Sequence, residues 1–129
     1  MKIAVVGSRT FQDYELLKRC LESVMKKYTI DVIVSGHAFG ADALAERFAR
    51  EKGIPTIIFN PDWDKYGKSA GFKRNVLIVN EADVVIVFWD GFSKGSKHTI
   101  DLAEKAKKPV IVMTFNSEIL PPPKPIKGL

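Results

Sequence analysis

The chain has 129 residues, of which 46% are hydrophobic and 27% are charged, and its formal net charge is +5. This balance predicts one globular domain and excludes a disordered chain. No apolar run approaches the roughly 20 residues that span a bilayer, and residues 1–6 are too short for a signal peptide. We therefore expect a cytoplasmic protein with no membrane partner.

Five short runs rich in valine and isoleucine alternate with longer helical patterns along the chain. This alternation is typical of a doubly wound α/β fold, and near-continuous apolar runs suit strands that helices cover on both faces. We therefore predict a Rossmann-like sheet of about five parallel strands. The predicted strands are residues 2–6, 31–35, 55–59, 83–88 and 109–114.

Helical patterns occupy the stretches between these strands. The first predicted helix, 13–28, begins at Asp13 as its N-cap, and the second, 40–52, ends at Gly53. After a long connection, 60–71, the third spans 72–81. The fourth spans 96–108, with Ser96 as a cap and Lys105, Lys107 and Lys108 in its last turn. The expected inward faces are Tyr14, Leu17, Leu21, Val24, Met25 and Tyr28 in the first helix, Ala41, Leu44, Ala45, Phe48 and Ala49 in the second, and Thr99, Ile100, Ala103 and Ala106 in the fourth.

The C-terminal segment differs in composition from the rest. Residues 120–125 contain four prolines, which cannot continue a helix or a sheet. We expect residues 1–115 to form the domain and residues 116–129 to form a proline-rich tail.

Three of the predicted strands end in loops rich in small residues: 7–10, 35–42 and 89–96. In a parallel sheet these loops meet at one edge, where helix N-termini favour anions. Arg9 adds a guanidinium that can bind phosphate through two hydrogen bonds. The pattern predicts a phosphate-bearing ligand. It lacks both the Lys-Ser/Thr ending of a P-loop and the dinucleotide-binding fingerprint, which argues against a standard ATPase or NAD dehydrogenase.

Five motifs lie at or near these loops: VGSRTF at 6–11, SGxAxGADxLA at 35–45, DWxxYGxxAG at 62–71, RN at 74–75 and FWDGxSxGS at 88–96. With them the chain resembles the YspA/cpYpsA-related proteins of the SLOG superfamily. That superfamily includes DprA and the Lonely-Guy phosphoribohydrolases, and many YspA-related members are bacterial or phage-encoded. The resemblance implies that a nucleotide or nucleotide-derived ligand, rather than a fixed cofactor, binds across the carboxyl ends of the strands.

The candidate ligand-binding residues lie in the motif loops and at the start of the third helix. They are Gly7, Ser8, Arg9, Thr10, Gly36, His37, Ala38, Phe39, Gly40, Ala41, Asp42, Arg74, Asn75, Trp89, Asp90, Gly91, Ser93, Gly95 and Ser96. The chain departs from the family pattern at two of them. His37 stands where the family favours a second glycine, and Phe39 stands where it often has a basic residue.

A hydrolase that cleaves an N-glycosidic or a phosphate bond of a nucleotide is an alternative function. Its candidate catalytic residues are Asp42, His37 and Glu46, although a solvent-facing position for Glu46 is the first expectation. The catalytic glutamate of the Lonely-Guy pattern falls on Leu44, so that residue's role does not transfer. Two isolated histidines without a Cys or carboxylate cluster predict no metal site.

Single-stranded nucleic-acid binding, as in DprA, is a third hypothesis, ranked below a small nucleotide ligand. Trp63, Tyr66 and Trp89 are large rings that can stack on a base or pack in the core. Lys65, Lys68, Lys73 and Arg74 predict a cationic lid in or next to the long connection. Superfamily members commonly self-associate, which implies a homodimer or a higher homo-oligomer here.

Overall fold

Five parallel strands form a single sheet in the order β3-β2-β1-β4-β5 in the computed structural model, which describes residues 1–115. The predicted Rossmann-like α/β fold is thereby confirmed. Its third strand, Thr56–Ile58, is one residue shorter at each end than the predicted 55–59, although the Pro55 carbonyl oxygen still accepts a hydrogen bond from the Ile33 amide. The strands are β1 (Lys2–Gly7), β2 (Val32–Ser35), β3 (Thr56–Ile58), β4 (Val84–Trp89) and β5 (Val110–Thr114).

Strand β1 lies at the centre of the sheet and pairs with both β2 and β4. The chain first winds outward through β2 to β3, and then crosses back to add β4 and β5 on the other side of β1. The strand order therefore reverses between β1 and β4. A crevice opens at the carboxyl ends of strands at such a reversal, which is where ligands bind in open α/β sheets.

Helices cover both faces of the sheet. They are α1 (Tyr14–Lys27), α2 (Ala41–Lys52), the short α3 (Trp63–Tyr66), α4 (Ala70–Glu81) and α5 (Lys94–Lys105). Leu17 of α1 and Phe48 of α2 are fully buried in one core, whereas Ile78 of α4 packs in a separate core on the opposite face. Strand residues alternate between the two cores. The inner strands β1, β2 and β4 are therefore buried on both faces, as the unbroken valine and isoleucine runs predict, whereas the edge strand β3 is partly exposed.

The buried face of α1 differs from its predicted pattern. Helix α1 begins after Asp13, whose side chain accepts a hydrogen bond from the Leu16 amide as expected for an N-cap. Met25 and Tyr28 were expected on the inward stripe, but they are 40% and 55% exposed because the buried stripe ends at Val24 and the helix ends before Tyr28.

The predicted connection at 60–71 contains helical structure. Asp62 caps α3 by accepting a hydrogen bond from the Lys65 amide, a 3-10 turn follows at Gly67–Ser69, and α4 begins at Ala70, two residues earlier than expected. An aspartate cap preceding a single helical turn carries too little periodicity for sequence analysis to separate it from a loop.

Helix α5 is displaced relative to its predicted range of 96–108. Ser93 rather than Ser96 is its N-cap, and Ala106 lies beyond its end and is exposed. The Lys108 ammonium donates hydrogen bonds to the carbonyl oxygens of Val79 and Asn80, so it caps α4 rather than its own helix.

Within residues 1–115, every helix is too short or too polar to cross a bilayer. The predicted proline-rich tail, 116–129, lies outside the described residues.

Candidate functional site

Ser8 joins the three loops at the carboxyl edge of the sheet. Its carbonyl oxygen accepts hydrogen bonds from the amides of Phe11 and Ala41, at 3.1 and 3.5 Å. Its hydroxyl oxygen accepts one from the Asp90 amide at 3.0 Å, and its own amide donates to the Phe88 carbonyl at 2.8 Å. Ser8 is only 2% exposed. The three loops therefore converge around one residue, as the parallel arrangement of their strands requires.

Gly40 brings the loop after β2 against the loop after β1. Its φ of +77° is a backbone conformation that side chains disfavour, and a Cβ at this position would lie 2.7 Å from the carbonyl carbon of Arg9. Gly7 is restricted by space alone, since an added Cβ would lie 2.9 Å from the Cβ of Ala41 and 3.0 Å from the carbonyl carbon of Phe88. Gly40 is needed where the two loops touch through their backbones, and Gly7 where the end of β1 packs against β4 and the start of α2.

The Asp42 carboxylate holds the loop after β2 in place. The side chain is 3% exposed, and its Oδ2 accepts hydrogen bonds from the amides of Gly36 and Ala38, at 3.1 and 3.3 Å. Burial raises the pKa of this carboxyl to about 6, while the two amides and the nearby Arg74 guanidinium oppose the rise. One carboxylate oxygen of Asp42 therefore stabilises the conformation of this loop.

Arg74 connects the start of α4 to the same loop. One guanidinium nitrogen donates to the Gly36 carbonyl oxygen, and Nε donates to the Asn75 side-chain oxygen at 3.1 Å. Asn75 is buried, and its Nδ2 lies 3.4 Å from the Gly95 carbonyl oxygen at the start of α5. These contacts place the predicted Arg74-Asn75 pair between the loop after β2 and helix α5.

Two adjoining clefts open along this edge. The first, which we call the main cleft, has a volume of about 430 Å³ and lies between the loop after β1, the start of α4 and the start of α5. It is lined by twelve of the predicted site residues, together with six others that include Trp63, Lys68 and Phe72. The twelve are Gly7, Ser8, Arg9, Thr10, Ala38, Asp42, Arg74, Asn75, Asp90, Ser93, Gly95 and Ser96.

The second, which we call the side cleft, has a volume of about 770 Å³ and lies outside the loop after β2. The predicted residues Gly36, His37, Phe39 and Glu46 line it, together with Arg50 and Asn60, which sequence analysis did not single out. The two clefts share four lining residues and therefore adjoin, and we refer to the pair as the groove. The shared residues are Arg9, Ala38, Trp63 and Arg74.

Some predicted site residues line neither cleft. Trp89 and Gly91 border a separate shallow depression, and the Trp89 indole N–H donates to the Ser93 carbonyl oxygen at 3.0 Å. Gly40 and Ala41 shape the backbone behind the clefts. Asp90 lines the main cleft, but its Oδ1 accepts hydrogen bonds from the Phe92 and Ser93 amides, so this oxygen is occupied within its own turn.

The loop after β2 offers fewer free amides than its glycines predict. The amides of Gly36 and Ala38 donate to Asp42, that of His37 donates to the Ser35 hydroxyl, and that of Ala41 approaches the Ser8 carbonyl. Most of the backbone amides that we expected to bind a phosphate at this loop therefore already donate hydrogen bonds within the protein. Arg9, in contrast, has neither a hydrogen bond nor an ion pair to any residue in 1–115.

Glu46 is buried, which contradicts the expectation of a solvent-facing position. It is 7% exposed, and its Oε2 accepts a hydrogen bond from the Ser35 hydroxyl at 2.8 Å. Its Oε1 lies 2.8 Å from Nδ1 of His37. Helical spacing places Glu46 on the same face of α2 as Asp42. The loop after β2 covers that face, so Ser35 and His37 become the polar partners of Glu46. Nowhere in residues 1–115 do three or more His, Cys, Asp or Glu side chains cluster closely enough to hold a metal ion.

The contact at Gly40 can be tested against a second glycine with positive φ. Gly53 has a φ of +68° but no atom within 4 Å of an added Cβ, so Gly53→Ala should cost only the backbone strain, about 1 kcal/mol. We expect Gly40→Ala to cost more than about 3 kcal/mol, because strain and a backbone clash add. Urea denaturation of both variants measures the difference. Equal costs would contradict the close loop contact.

Burial of Asp42 predicts a pH dependence of stability. With a pKa of about 6 in the folded chain against 3.8 as its ordinary value, the folded protein retains a proton that the unfolded chain releases. The free energy of unfolding therefore falls as pH rises through this window and is level above it. Asp42→Asn removes this dependence. From about pH 4 to about pH 7, the stability of Asp42→Asn relative to the unchanged chain should rise by about 2 kcal/mol. Parallel denaturation curves across this range would mean that Asp42 ionises normally.

The fold and the loops have counterparts among known proteins. Residues 1–66 match the model of the YspA, cpYpsA-related SLOG family. The Gene 61 protein of Mycobacterium phage D29 is 34% identical over 117 residues, which cover 85% of this chain and 94% of the phage protein.

Two solved structures of DNA processing protein A (DprA) share the fold. The protein from Streptococcus pneumoniae has a TM-score of 0.71 and 25% identity, over 86% of this chain and 49% of that one. The second is the protein from Helicobacter pylori, whose structure was described for its single-stranded DNA binding mode. It has a TM-score of 0.67 and 27% identity, over 87% of this chain and 64% of that one. The chain thus corresponds to about half and under two thirds of these two DprA chains. By the family match and the phage relative, the chain belongs to the YspA, cpYpsA-related SLOG family.

Proposed function

We propose that the chain binds a nucleotide or a nucleotide-derived ligand in the main cleft, with a phosphate against Arg9. The observation that carries this proposal is the position of that guanidinium. It is exposed, it has no partner within residues 1–115, and it lines both clefts at the point where they join. A planar cation in such a position can bind two phosphate oxygens at once.

The charges around the junction favour an anion. Arg9 lies close enough to Arg74 to help lower the pKa of the Arg74 guanidinium, although burial is the larger cause. Asp42, which lines the main cleft, already accepts two amide hydrogen bonds, and burial disfavours its charged form. The Arg9 and Arg74 guanidiniums both line the two clefts, and a phosphate between them would relieve their mutual repulsion.

The main cleft also suits the other parts of a nucleotide. Its volume of about 430 Å³ falls within the range of small-molecule sites. Trp63 and Phe72 line it and are 51% and 46% exposed, so their rings are accessible for stacking on a base. Asn75 and Ser96 supply polar groups at its inner wall that can orient a sugar.

The role of Arg9 can be tested by its removal. Because its side chain contacts solvent rather than the core, Arg9→Ala should leave the unliganded Tm nearly unchanged. A lost hydrogen bond to a charged phosphate costs about 1.5 to 3 kcal/mol, so the affinity for nucleoside monophosphates, NAD or ADP-ribose should fall by at least about tenfold. Ligand-induced shifts in Tm and titration calorimetry measure this change.

Arg19→Ala is the matched control for this experiment. Arg19 is an exposed arginine on α1, outside both clefts, and its removal lowers the net charge by the same amount. It should leave the affinity unchanged. Equal affinities for the Arg9→Ala and unchanged chains would contradict the proposed phosphate contact.

Single-stranded DNA is a second candidate ligand, favoured by the likeness to the DprA structures. The joined clefts form a groove with cations along it, including Lys68 in the main cleft and Arg50 in the side cleft. Trp63 lies at their junction, and Phe39 borders the side cleft with 78% of its surface exposed. Stacked rings beside a cationic track are typical of sites that bind single strands without sequence preference.

Salt dependence tests this second candidate. If the strand's phosphates lie against the groove, the affinity for a fluorescent oligothymidine should fall steeply between about 50 and 200 mM salt. Trp63→Ala should weaken binding by about 1 to 3 kcal/mol, the range for one base stacked on an aromatic ring. Tyr28→Ala, which removes an exposed ring at the end of α1, should not. Absence of binding at low salt, or equal effects of the two variants, would exclude this groove as the DNA site.

A further inference from the structure

We propose that the side cleft is a hydrolytic site, in which His37 takes a proton from the water that attacks the phosphorus of a nucleotide phosphodiester. The inference rests on the proposed function, because the phosphate held at Arg9 is the reacting group. It assigns a reaction to a part of the groove that nucleotide binding in the main cleft does not require.

The His37 ring is held by a buried carboxylate. Nδ1 lies 2.8 Å from Oε1 of Glu46, whose other oxygen accepts a hydrogen bond from the Ser35 hydroxyl. The Ser35 hydroxyl oxygen in turn accepts a hydrogen bond from the His37 amide at 3.1 Å. A carboxylate beside Nδ1 holds the imidazole proton on that nitrogen, so the lone pair of a neutral ring lies on Nε2. This is the arrangement that orients a histidine base towards a nucleophile.

The backbone at His37 is unfavourable for any residue other than glycine. Its φ is +58°, and only one other non-glycine residue in 1–115 has a positive φ. Histidine in this conformation costs of order 1 kcal/mol or more that glycine would not, and its side chain remains 59% exposed rather than packed. Core packing therefore does not account for the imidazole. Its ordered contact is the one with Glu46, at the wall of the side cleft.

The charges of the side cleft favour cleavage at phosphorus over cleavage of an N-glycosidic bond. Glycosidic cleavage by side chains generally needs a carboxylate at the reacting carbon. Both oxygens of Glu46 are engaged by Ser35 and His37. Asp42 lines the main cleft rather than the side cleft, and its Oδ2 accepts two backbone amides. Three guanidiniums line the cleft instead, and charge on phosphoryl oxygens in the transition state is what cations stabilise. The three are Arg9, Arg50 and Arg74.

The proposed step balances with water alone. The water oxygen forms a bond to phosphorus as one of its protons moves to Nε2 of His37. The bond between phosphorus and the leaving oxygen then breaks, and that oxygen retains the electron pair and takes a proton from solvent. The imidazolium loses its proton to solvent, and the products are a phosphomonoester and an alcohol. Arg9 and Arg50 bind the non-bridging oxygens, and Glu46 acts as a positioning residue through His37.

The test uses a substitution that the backbone itself favours. His37→Gly removes the imidazole and relieves the positive φ, which offsets the cost of leaving Oε1 of the buried Glu46 without this partner, so the variant should still fold. The probes are bis(4-nitrophenyl) phosphate, followed by nitrophenolate absorbance, and the dinucleotide thymidylyl-thymidine, followed by mass spectrometry. We expect His37→Gly to lose at least about 100-fold in kcat, and added imidazole to restore part of the rate.

Two further variants separate the roles. Glu46→Gln should lower kcat with little change in KM and should shift the pH profile of the reaction, because the glutamine no longer fixes the proton on Nδ1. His98→Gln removes the other histidine of the chain, which lies outside both clefts, and should keep the full rate. A full rate in His37→Gly, or a rate that imidazole does not restore, would overturn the proposal.

Binding and cleavage are scored separately. If thymidylyl-thymidine raises the Tm of the unchanged chain but is recovered intact, and the nitrophenyl ester is also stable, then the hydrolytic inference is wrong and nucleotide binding stands. If neither compound raises the Tm and neither is cleaved, both the inference and the binding proposal fail for this ligand class. Cleavage that depends on His37 and Arg9 together supports both.

Discussion

The arrangement of the site depends on one buried carboxylate. Asp42 lies at the start of α2 and accepts the amides of Gly36 and Ala38, so the loop after β2 folds back over its own helix. In this conformation His37 of the loop contacts Ser35 and Glu46, and the Gly36 carbonyl oxygen accepts a hydrogen bond from Arg74. Burying a carboxylate is costly unless hydrogen bonds and nearby positive charge compensate. Here the loop after β2 supplies the hydrogen bonds, and Arg74 at the start of α4 supplies the positive charge.

Most of the fold could be predicted from the sequence, because two strong signals agree. Unbroken apolar runs such as Val84–Trp89 indicate strands that are buried on both faces, and the helical patterns between them impose parallel crossovers. The errors fall where the local signal is weak. The single turn Trp63–Tyr66 is too short to show periodicity. Met25 fits the apolar spacing of α1, although the buried stripe of that helix ends at Val24.

The site was predictable only in part, because sequence spacing locates loops but not the hydrogen bonds inside them. The motif loops do meet around Ser8, and Arg9 and Arg74 both face the groove. The sequence did not reveal that the glycine-rich loop satisfies most of its amides internally. The burial of Glu46 was missed for a similar reason. Its partner Ser35 ends a strand eleven residues earlier, and only the folded loop brings the two together.

The hydrogen bonds of Ser8 have a consequence for how this fold can diversify. One short side chain and its carbonyl serve three loops in a space with 2% exposure. The substitution Ser8→Ala would leave the Asp90 amide without its acceptor, and Ser8→Thr would place a methyl group against closely packed backbone atoms. Rim positions such as Phe39 meet no comparable restriction. Substitutions at exposed cleft residues such as Phe39 can therefore change ligand preference one at a time. Substitutions at Ser8 would disturb all three loops at once.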